Sequence, residues 1–378
     1  MQQRIILLRQ SIAGQGGAEN YLRLLCSALA AKKHHVILLT DSAPAVTPPL
    51  AAELLRPTSS WLSPLAGFPV RAEAWCKKNL TPGDVVLSLD RNRRQHILRT
   101  GDGVHAAWLR VRARAGRLSP LDSLRHARLL RREKLAFSPE RTALIWANSH
   151  WVAAQIRDHY PFPQERIHVI HNGVDTSKWR LPHTADAQLP APVPVGAPVL
   201  LFVGSGWWRK GWDIAVRIHA ELRKILPGAW LVGVGKPGRE LEFRATLRQK
   251  NILWLGQLDA GALLRCFAAA GLLLLPTRYD PFANVVLEAL ASGLPVLTST
   301  ENGAAETFQQ APHDCGFALP VTTAPDVWAT TACQMLNCTQ RENLRNRCRM
   351  LAEKFDSSSH IRKVLEMIDL SHSTPCPI

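Results

Sequence analysis

Two adjacent basic residues, Arg209 and Lys210, have the types and the setting of an anion-binding site. They lie in the segment Val203-Gly-Ser-Gly-Trp-Trp-Arg-Lys-Gly211, which follows an apolar run and precedes a helical pattern. Small residues let a ligand approach the backbone closely, and the start of a helix offers unpaired N–H groups and a positive dipole. The segment therefore predicts a diphosphate site, and an ordinary basic surface is the alternative.

Two carboxylates, Asp280 and Glu288, are separated by seven residues in a second candidate segment. Asp280 falls in a loop after a predicted strand, and Glu288 lies about one turn into the next predicted helix. An acid among Val, Leu and Ala is costly to bury unless it binds something. Two ribose hydroxyls would satisfy Glu288, and stabilisation by the helix dipole is the alternative. The N–H groups expected to face a ligand here are those of Ala283, Asn284 and Val285.

Two glycine-containing loops in the first half of the chain also have residues suited to binding or chemistry. The loop that starts at Arg99 contains Asp102 and His105, an acid and an imidazole, and such side chains orient hydroxyl groups and move protons. For His105 a purely structural hydrogen bond is the alternative. Gly16 and Gly17 lie between a predicted strand and a predicted helix, so their N–H groups are expected to face a ligand.

Short apolar runs alternate with helical periodicity and place these candidates. Strands are predicted at Ile5–Leu8, Val36–Leu39, Asp84–Leu89, Ala143–Ala147, Ile167–Ile170, Val199–Val203, Ala229–Val234, Ile252–Leu255, Leu272–Leu275 and Pro295–Thr298. Helices are predicted around Tyr21–Leu29, from a cap at Asn148 or Ser149 to Asp158, and at Trp212–Leu226, Gly261–Ala270, Asn284–Ser292 and Ser357–Ser371. Such alternation in both halves indicates two doubly wound α/β domains with parallel sheets. Their ligands bind beyond the carboxyl ends of the strands, and the cleft between the domains is the expected pocket.

A chain of 378 residues is long for one domain. Residues 181–198 contain five prolines and little periodicity, which predicts a linker or exposed loop. We therefore expect an N-terminal domain at residues 1–180 and a C-terminal domain at residues 199–356. A C-terminal helix and tail at residues 357–378 are expected to return to the N-terminal domain.

The N-terminus and the cysteines predict a cytoplasmic protein. The first residues reach a second charge at Arg9 after a short apolar run, which does not fit a signal peptide. The longest apolar run, Ala268–Leu275, is too short to cross a bilayer. The eight cysteines include no CxxC pair, so we expect reduced thiols and no zinc site.

The positive charge is concentrated in residues 91–141. This stretch has fourteen Lys or Arg and four Asp or Glu, a net charge of +10 out of +16 for the chain. Such a concentration favours phosphates, nucleic acid or an anionic membrane surface, and a solvated basic surface is the alternative. Arginines at helical spacing with leucines between them are typical of helices that lie on anionic membranes. Those arginines are Arg125, Arg128, Arg131 and Arg132.

Four motifs together resemble one known family. Ser205-Gly-Trp-Trp-Arg-Lys-Gly resembles its diphosphate-binding segment, and Glu288-Ala-Leu-Ala-Ser-Gly-Leu-Pro-Val resembles its most specific motif. His171-Asn-Gly-Val-Asp resembles the turn that ends the family's N-terminal domain, and Gly16-Gly-Ala-Glu resembles its N-terminal glycine loop. The family is that of the retaining GT-B glycosyltransferases of the Glu-x7-Glu type (family 4, group 1), and the chain is most similar to its lipopolysaccharide-core glucosyltransferases.

The resemblance implies a GT-B fold, with two Rossmann-like domains facing across a cleft, and assigns roles to the candidate residues. Glu288 would hold the ribose of a nucleotide sugar. Arg209 and Lys210 would neutralise its diphosphate. Asp280, with the Ala283–Asn284 backbone, would hold the sugar hydroxyls. Donor-binding positions implied by the same likeness are Gly16, Gly17, Ser205, Ala283, Asn284 and Val285.

In the N-terminal domain, Asp102 would orient the acceptor hydroxyl and His105 would hydrogen-bond the donor sugar. The resemblance also implies a front-face displacement with retention, in which the leaving phosphate takes the acceptor's proton. The family does not use a metal-binding Asp-x-Asp, and none occurs here, so no metal or other cofactor is expected.

The chain departs from the family at two positions. Asp280 stands where the family usually has Glu, and Ala283 stands where it usually has Gly. A shorter acid would change the contact to the donor sugar more than the reaction. UDP-glucose is the first choice of donor, and UDP-N-acetylhexosamine and ADP-heptose remain alternatives.

The expected function is transfer of a hexose to a lipid-linked saccharide such as lipopolysaccharide core. The protein would be peripheral on the inner face of the cytoplasmic membrane, held through residues 91–141. Two other functions remain open. A nucleic-acid-binding protein would explain the charge but not the motifs, and no known reading module is present, so no nucleic-acid partner is expected. A nucleotide-sugar epimerase would share the fold but catalyse a different reaction.

Overall fold

The chain folds into two compact units. The computed structural model describes residues 3–12, 17–41, 53–56, 67–119, 123–181, 187, 189–310 and 314–371. The first unit comprises residues 1–170 and 360–378, and the second comprises residues 171–359. The division therefore falls at Ile170, earlier than the sequence placed the end of the N-terminal domain.

In the first unit, seven described strands form one parallel sheet in the order β3-β2-β1-β4-β5-β6-β7. The strands are β1 (Arg4–Leu8), β2 (His35–Leu39), β3 (Glu53–Leu55), β4 (Val85–Ser88), β5 (Gln95–Arg99), β6 (Thr142–Ala147) and β7 (Ile167–Val169). The helices between them are α1 (Gly17–Ala31), α2 (Phe68–Asn79), α3 (His105–Arg114), α4 (Ser123–Ala136) and α5 (His150–His159). Ser149 caps α5 by accepting a hydrogen bond from the Val152 N–H at 3.1 Å, as the sequence predicted.

In the second unit, six described strands form a parallel sheet in the order β10-β9-β8-β11-β12-β13. The strands are β8 (Val199–Val203), β9 (Trp230–Val234), β10 (Ile252–Trp254), β11 (Leu272–Leu275), β12 (Val296–Ser299) and β13 (Gly316–Leu319). The helices are α6 (Trp207–Lys210), α7 (Trp212–Ile225), α8 (Leu241–Thr246), α9 (Ala260–Ala269), α10 (Asn284–Ala291), α11 (Pro325–Leu336) and α12 (Arg341–Glu353).

Burial on both faces of each sheet explains the continuous apolar runs in the sequence. In β1, Ile5 and Leu7 belong to one core cluster, and Ile6 and Leu8 belong to another on the opposite face. The last helix, α13 (Ser357–Ser371), adds its apolar residues to the Ile5 cluster. The C-terminal helix therefore packs on the first unit, as predicted.

Among the described residues, no helix combines the length and the apolar character needed to cross a bilayer. The cysteines that the structure describes are free thiols, and most of them are buried.

Candidate functional site

The segment after β8 holds Arg209 and Lys210 beside the loop that follows β11. The chain makes one helical turn, α6, and then passes through Gly211 into α7. Gly211 has φ 82°, and a Cβ there would lie 1.9 Å from the carbonyl oxygen of Pro276, so only glycine fits this crossing. The sequence predicted one helix after this segment, but the structure has two. Arg209 and Lys210 are the last residues of the first, α6.

A set of hydrogen bonds fixes this basic turn to the loop after β11. The carbonyl oxygen of Arg209 accepts from the Arg278 N–H at 2.8 Å and from the Thr277 hydroxyl at 2.9 Å. The Arg278 guanidinium donates to both carboxylate oxygens of Asp213 at 2.7 and 2.6 Å and lies 4.6 Å from the Trp208 ring centroid. A bidentate pair with a stacked ring is a rigid arrangement, so the two segments form one platform.

Asp280 forms an ion cluster with the two basic residues. Its side chain is almost fully buried, the Lys210 ammonium donates to Oδ2, and Arg209 Nη1 lies 3.5 Å from the same oxygen. Burial acts to raise the pKa of Asp280, but Lys210 and Arg209 outweigh it and hold the pKa below its usual value. Burial lowers the pKa of Lys210, and Asp280 opposes that shift. Two cations and one anion leave net positive charge beside the platform.

Asn302, which was not predicted from the sequence, holds the loop that carries Asp280. Its buried Oδ1 accepts from the Ala283 N–H at 3.1 Å, and its Nδ2 donates to Thr298 Oγ1 at 3.0 Å. The Asp280 N–H donates to Glu301 O at 3.0 Å. The prediction that the Ala283 N–H faces a ligand is therefore wrong, because Asn302 occupies it. A polar residue just after a buried strand was the available signal.

Helix α10 is buried except at Asn284 and Glu288, which are partly exposed and lie one turn apart. Glu288 is partly buried, and its carboxylate makes no hydrogen bond or ion pair with any residue in the described part of the chain. Burial raises its pKa from 4.5 to about 7, against the attraction of Lys178 and Lys210. The N–H groups of Asn284 and Val285 begin the helix, where intrahelical partners are missing. This part of α10 therefore offers two donors and one unsatisfied acid.

The His171-Asn-Gly-Val-Asp turn belongs to the second unit, whereas the sequence placed it in the N-terminal domain. The Asn172 amide donates to Asn284 Oδ1 at 2.8 Å, and His171 Nε2 lies 2.8 Å from Glu306 Oε2. The Val174 N–H donates to the Phe355 carbonyl at 2.9 Å. These bonds tie the turn to the start of α10 and so orient the Asn284 side chain.

Asp102 and His105 do not form the pair that the sequence suggested. Asp102 is exposed, and its carboxylate makes no hydrogen bond or ion pair to the described residues. It lines a cavity of about 250 Å³ in the first unit with Arg9, Asp90 and Arg91 among its neighbours. Arg9 Nη1 donates to Asp90 Oδ1 at 2.6 Å. Alternating cations and carboxylates of this kind suit the donors and acceptors of a saccharide.

His105 is the first residue of α3, and its neighbours come from α4. The ring nitrogen Nε2 lies 3.2 Å from His126 Nδ1, and the backbone N–H donates to Glu133 Oε2 at 2.6 Å. Glu133 is fully buried. In the sequence Glu133 is only one of the few acids in a basic stretch, so its role was not predicted.

The remaining predicted donor residues are Gly16, Gly17 and Ser205. Gly16 lies outside the described residues, and Gly17 is the first residue of α1. Ser205 is exposed, and its hydroxyl accepts from the Lys236 N–H at 3.1 Å.

In the structure, the exposed basic residues of the stretch 91–141 lie on α3 and α4. Several of its arginines have acidic partners: Arg93 and Arg94 pair with Glu73, and Arg91 pairs with Glu133. Leu118 and Leu124 are 44% and 73% exposed on this part of the surface. The exposed basic residues, hereafter the basic face, are Arg110, Arg114, Arg125, Arg128, Arg131, Arg132 and Lys134.

Two family models match the chain on either side of residue 180. Residues 15–178 match the model described as Glycosyltransferase Family 4, and residues 197–338 match the model described as Glycosyl transferases group 1. Together they cover most of the chain. The membership of family 4 (group 1) inferred from the four motifs is confirmed.

Curated relatives and solved structures agree with these matches. Glycogen synthase of Mycobacterium tuberculosis is 32% identical over 148 residues, which are 37% of this chain and 33% of that protein. Lipopolysaccharide glucosyltransferase WaaG of Escherichia coli is 26% identical over 80% of this chain and 82% of its own length. The chain thus spans only about a third of the glycogen synthase but most of WaaG.

The solved structures show the fold. The crystal structure of WaaG superposes with a TM-score of 0.74 at 22% identity, covering 96% of this chain and 99% of that one. Anabaena Alr3699/HepE, crystallised with UDP-glucose, gives 0.72 at 17% identity, covering 97% and 99%. The predicted GT-B class of two α/β parallel-sheet domains is confirmed.

Proposed function

Because this chain belongs to the family 4 (group 1) glycosyltransferases, we propose that it transfers a hexose from a nucleotide diphosphate sugar to a lipid-linked saccharide. UDP-glucose is the proposed donor, and nascent lipopolysaccharide core is the proposed acceptor. The similarity to WaaG over most of both chains supports the acceptor. The UDP-glucose complex of a protein with the same fold supports the donor.

One observation carries the proposal: the second unit sets a cationic cluster and an unsatisfied acid after the carboxyl ends of two neighbouring strands, β8 and β11. Glu288 has no protein partner in the described chain, so two ribose hydroxyls would complete its hydrogen bonding. Arg209 and Lys210 hold net positive charge after pairing with Asp280, which complements a diphosphate. The Asn284 and Val285 N–H groups remain for phosphate or sugar oxygens.

The proposed mechanism relies on charge that develops on the leaving diphosphate. Lys210 and Arg209 stabilise this charge in the transition state more than in the ground state, so they raise the rate as well as the affinity. Asp280 keeps both cations in place and contacts the sugar. The reaction retains the anomeric configuration, the leaving phosphate accepts the acceptor's proton, and no metal is required.

The acceptor is proposed to bind the first unit at the cavity lined by Asp102. There the carboxylates of Asp90 and Asp102 accept hydrogen bonds from saccharide hydroxyls, and the guanidinium groups of Arg9 and Arg91 donate hydrogen bonds to saccharide oxygens. His105 is proposed to hydrogen-bond the donor sugar. The chemistry of the lining supports the acceptor site, and the family resemblance supports the contact between His105 and the donor sugar.

The donor proposal predicts that UDP-glucose raises the melting temperature of the protein and that UDP is released only when acceptor is added. A transferase needs both substrates before the glycosidic bond breaks. Differential scanning fluorimetry with a panel of nucleotide sugars measures the first result, and a coupled UDP assay with core oligosaccharides measures the second. Metal-free buffer with chelator should leave the rate unchanged.

Three results would contradict parts of this proposal. Release of sugar isomers without acceptor would indicate an epimerase. A covalent glycosyl adduct on an Asp or Glu, seen by mass spectrometry, would exclude the front-face mechanism. An anomeric proton coupling in the product that reports the opposite configuration to that of the donor would exclude retention.

The basic face is proposed to hold the protein on the anionic inner surface of the cytoplasmic membrane. Its cations lie beside exposed leucines, the combination that favours an anionic lipid surface. We expect co-sedimentation with phosphatidylglycerol vesicles at low salt, little with phosphatidylcholine vesicles, and release as salt screens the charge.

Matched charge variants test the location of this contact. Replacing Arg125, Arg128 and Arg131 by glutamine should abolish vesicle binding. Replacing Arg244, Arg248 and Lys250, three exposed basic residues of the second unit, should not. Equal losses in both triples would mean that net charge alone causes binding, and equal binding to neutral vesicles would exclude the electrostatic contact.

A further inference from the structure

Helix α4 contacts His105 at two points through side chains seven residues apart. Residues two turns apart lie on the same face of a helix, and on α4 these are His126 and Glu133. His126 meets the imidazole of His105, and Glu133 meets its backbone. We propose that Glu133 and His126 are positioning residues for His105, a proposal that rests on the proposed role of His105 in the transfer.

Glu133 acts as the N-terminal cap of α3, supplied by another helix. The residue at the N-cap position of α3 is Val104, whose aliphatic side chain cannot accept a hydrogen bond. Oε2 of Glu133 accepts from the His105 N–H at 2.6 Å, and Oε1 accepts from the Ala106 N–H at 3.0 Å. These are two of the N–H groups that a helix start leaves without partners. The backbone at His105 is therefore fixed by a carboxylate.

The other contacts of Glu133 make that carboxylate immobile and unavailable to a substrate. The Tyr160 hydroxyl donates to Oε1 at 2.6 Å, and Arg91 Nε lies 2.8 Å from Oε2. Arg91 also donates to the Gly103 carbonyl at 2.7 Å, just before His105 in the chain. A fully buried acid with four polar partners orients its neighbours, since no face of it is left for a ligand.

His126 fixes which ring nitrogen of His105 carries the proton. Arg112 Nη1 lies 3.1 Å from His126 Nε2, and a guanidinium can only donate. His126 Nε2 is therefore the acceptor, so its proton is on Nδ1 and is donated to His105 Nε2 at 3.2 Å. The proton of neutral His105 is then on Nδ1, which has no hydrogen-bond partner among the described residues. His105 is left with one donor to offer a sugar oxygen.

The charged groups around His105 predict opposite pH effects for the two positioning residues. Burial lowers the pKa of His105; Glu133 raises it, and Arg91, His126 and Arg112 lower it. Glu133→Gln removes the raising influence, so the acid limb of the pH–kcat profile should move to lower pH. His126→Leu removes a lowering influence, so the acid limb should move to higher pH.

Kinetics of matched variants test the proposal. Glu133→Gln and His126→Leu should each lower kcat about 10- to 100-fold with the KM for UDP-glucose within about two-fold, since a small misplacement of a reacting group is costly. His126→Asn, which keeps an N–H donor near the position of Nδ1, should recover much of the loss. The control is Asp84→Asn, which breaks another buried ion pair of the first unit, with Arg4, and should shift no limb of the profile.

An activity-independent measurement separates this proposal from the proposed function. NMR titration of histidine-labelled protein, with the His105 signals identified by their absence in His105→Gln, should show the two opposite pKa shifts. If His105→Gln lowers kcat but neither variant moves the pKa or the acid limb, the positioning proposal is overturned and the function stands. If His105→Gln leaves kcat unchanged, the role of His105 itself is overturned. Should Glu133→Gln fail to fold, the His126 pair gives the same decision.

Discussion

Glu288→Gln should weaken binding of UDP-glucose about 30-fold or more and, above pH 7, make the unliganded protein more stable. Both effects have one cause, the partly buried carboxylate that no described side chain satisfies. In the complex, two hydrogen bonds from ribose hydroxyls to a charged group are worth about 1.5–3 kcal/mol each, and an amide accepts more weakly. Without ligand, the same charge is a cost that glutamine avoids.

The sign of the pH dependence follows from the raised pKa of Glu288. Its pKa is about 7 in the folded protein, against 4.5 for an ordinary glutamate. Between pH 4.5 and about 7, Glu288 carries a proton in the folded state more often than in the unfolded state. The free energy of unfolding therefore falls as pH rises from 4.5, and the loss is complete above about pH 7. The glutamine variant escapes this loss. We expect it to be more stable than wild type by about 3 kcal/mol at pH 8 and equal to it near pH 4.5.

Urea unfolding between pH 4.5 and 8.5 measures the stability difference, and titration calorimetry with UDP-glucose measures affinity over the neutral range. Wild-type affinity should increase with pH as Glu288 ionises, and the affinity of the variant should not. Glu342→Gln, an exposed acid on α12, is the control and should change neither quantity. Unchanged affinity in the Glu288 variant would overturn the ribose assignment, whatever the stability shows.

The sequence predicted Glu288 because everything that defines its setting is local. The acid, the apolar helix around it and the preceding strand all lie within residues 272–291. Buried parallel strands such as Leu272–Leu275 are equally visible, since both faces are covered and the run is entirely apolar. Patterns of this kind can be recognised in the sequence without any knowledge of distant contacts.

What the sequence could not predict depends on partners far along the chain. Strand β5 was missed because Gln95 and His96 look polar, yet Gln95 bonds the Thr142 hydroxyl and His96 Nδ1 accepts from the Val86 N–H at 2.9 Å inside the sheet. Asn302 takes the Ala283 N–H only because β12 returns beside the loop. Glu133 sits in a run of arginines, where composition predicts solvent on every face.

Lys210→Met should lower kcat/KM about 100-fold or more and also destabilise the second unit. Removing a donor aimed at developing negative charge commonly costs about 100- to 1000-fold in rate. The same change leaves the buried carboxylate of Asp280 with Arg209 alone, at 3.5 Å. Breaking a buried ion pair on one side costs about 3–5 kcal/mol. The activity loss is therefore ambiguous until the two effects are separated.

The double variant Lys210→Met, Asp280→Asn separates them. With both partners neutral, no unpaired charge is buried, and most of the stability should return. The cation at the diphosphate is still missing, so the rate should stay low. Lys224→Met, which removes an exposed lysine paired with Glu221 on α7, should change neither stability nor rate.

Acid pH offers a second way to separate the effects in the single variant. Lys210 helps to hold the pKa of Asp280 low, so without it burial raises that pKa. Protonation of Asp280 then relieves the unpaired charge, and the stability gap between Lys210→Met and wild type should narrow as pH falls. The rate deficit should persist at every pH where wild type is active. If the double variant regains both stability and rate, Lys210 serves only to neutralise Asp280, and the diphosphate must be held by Arg209 and the N–H groups of α10.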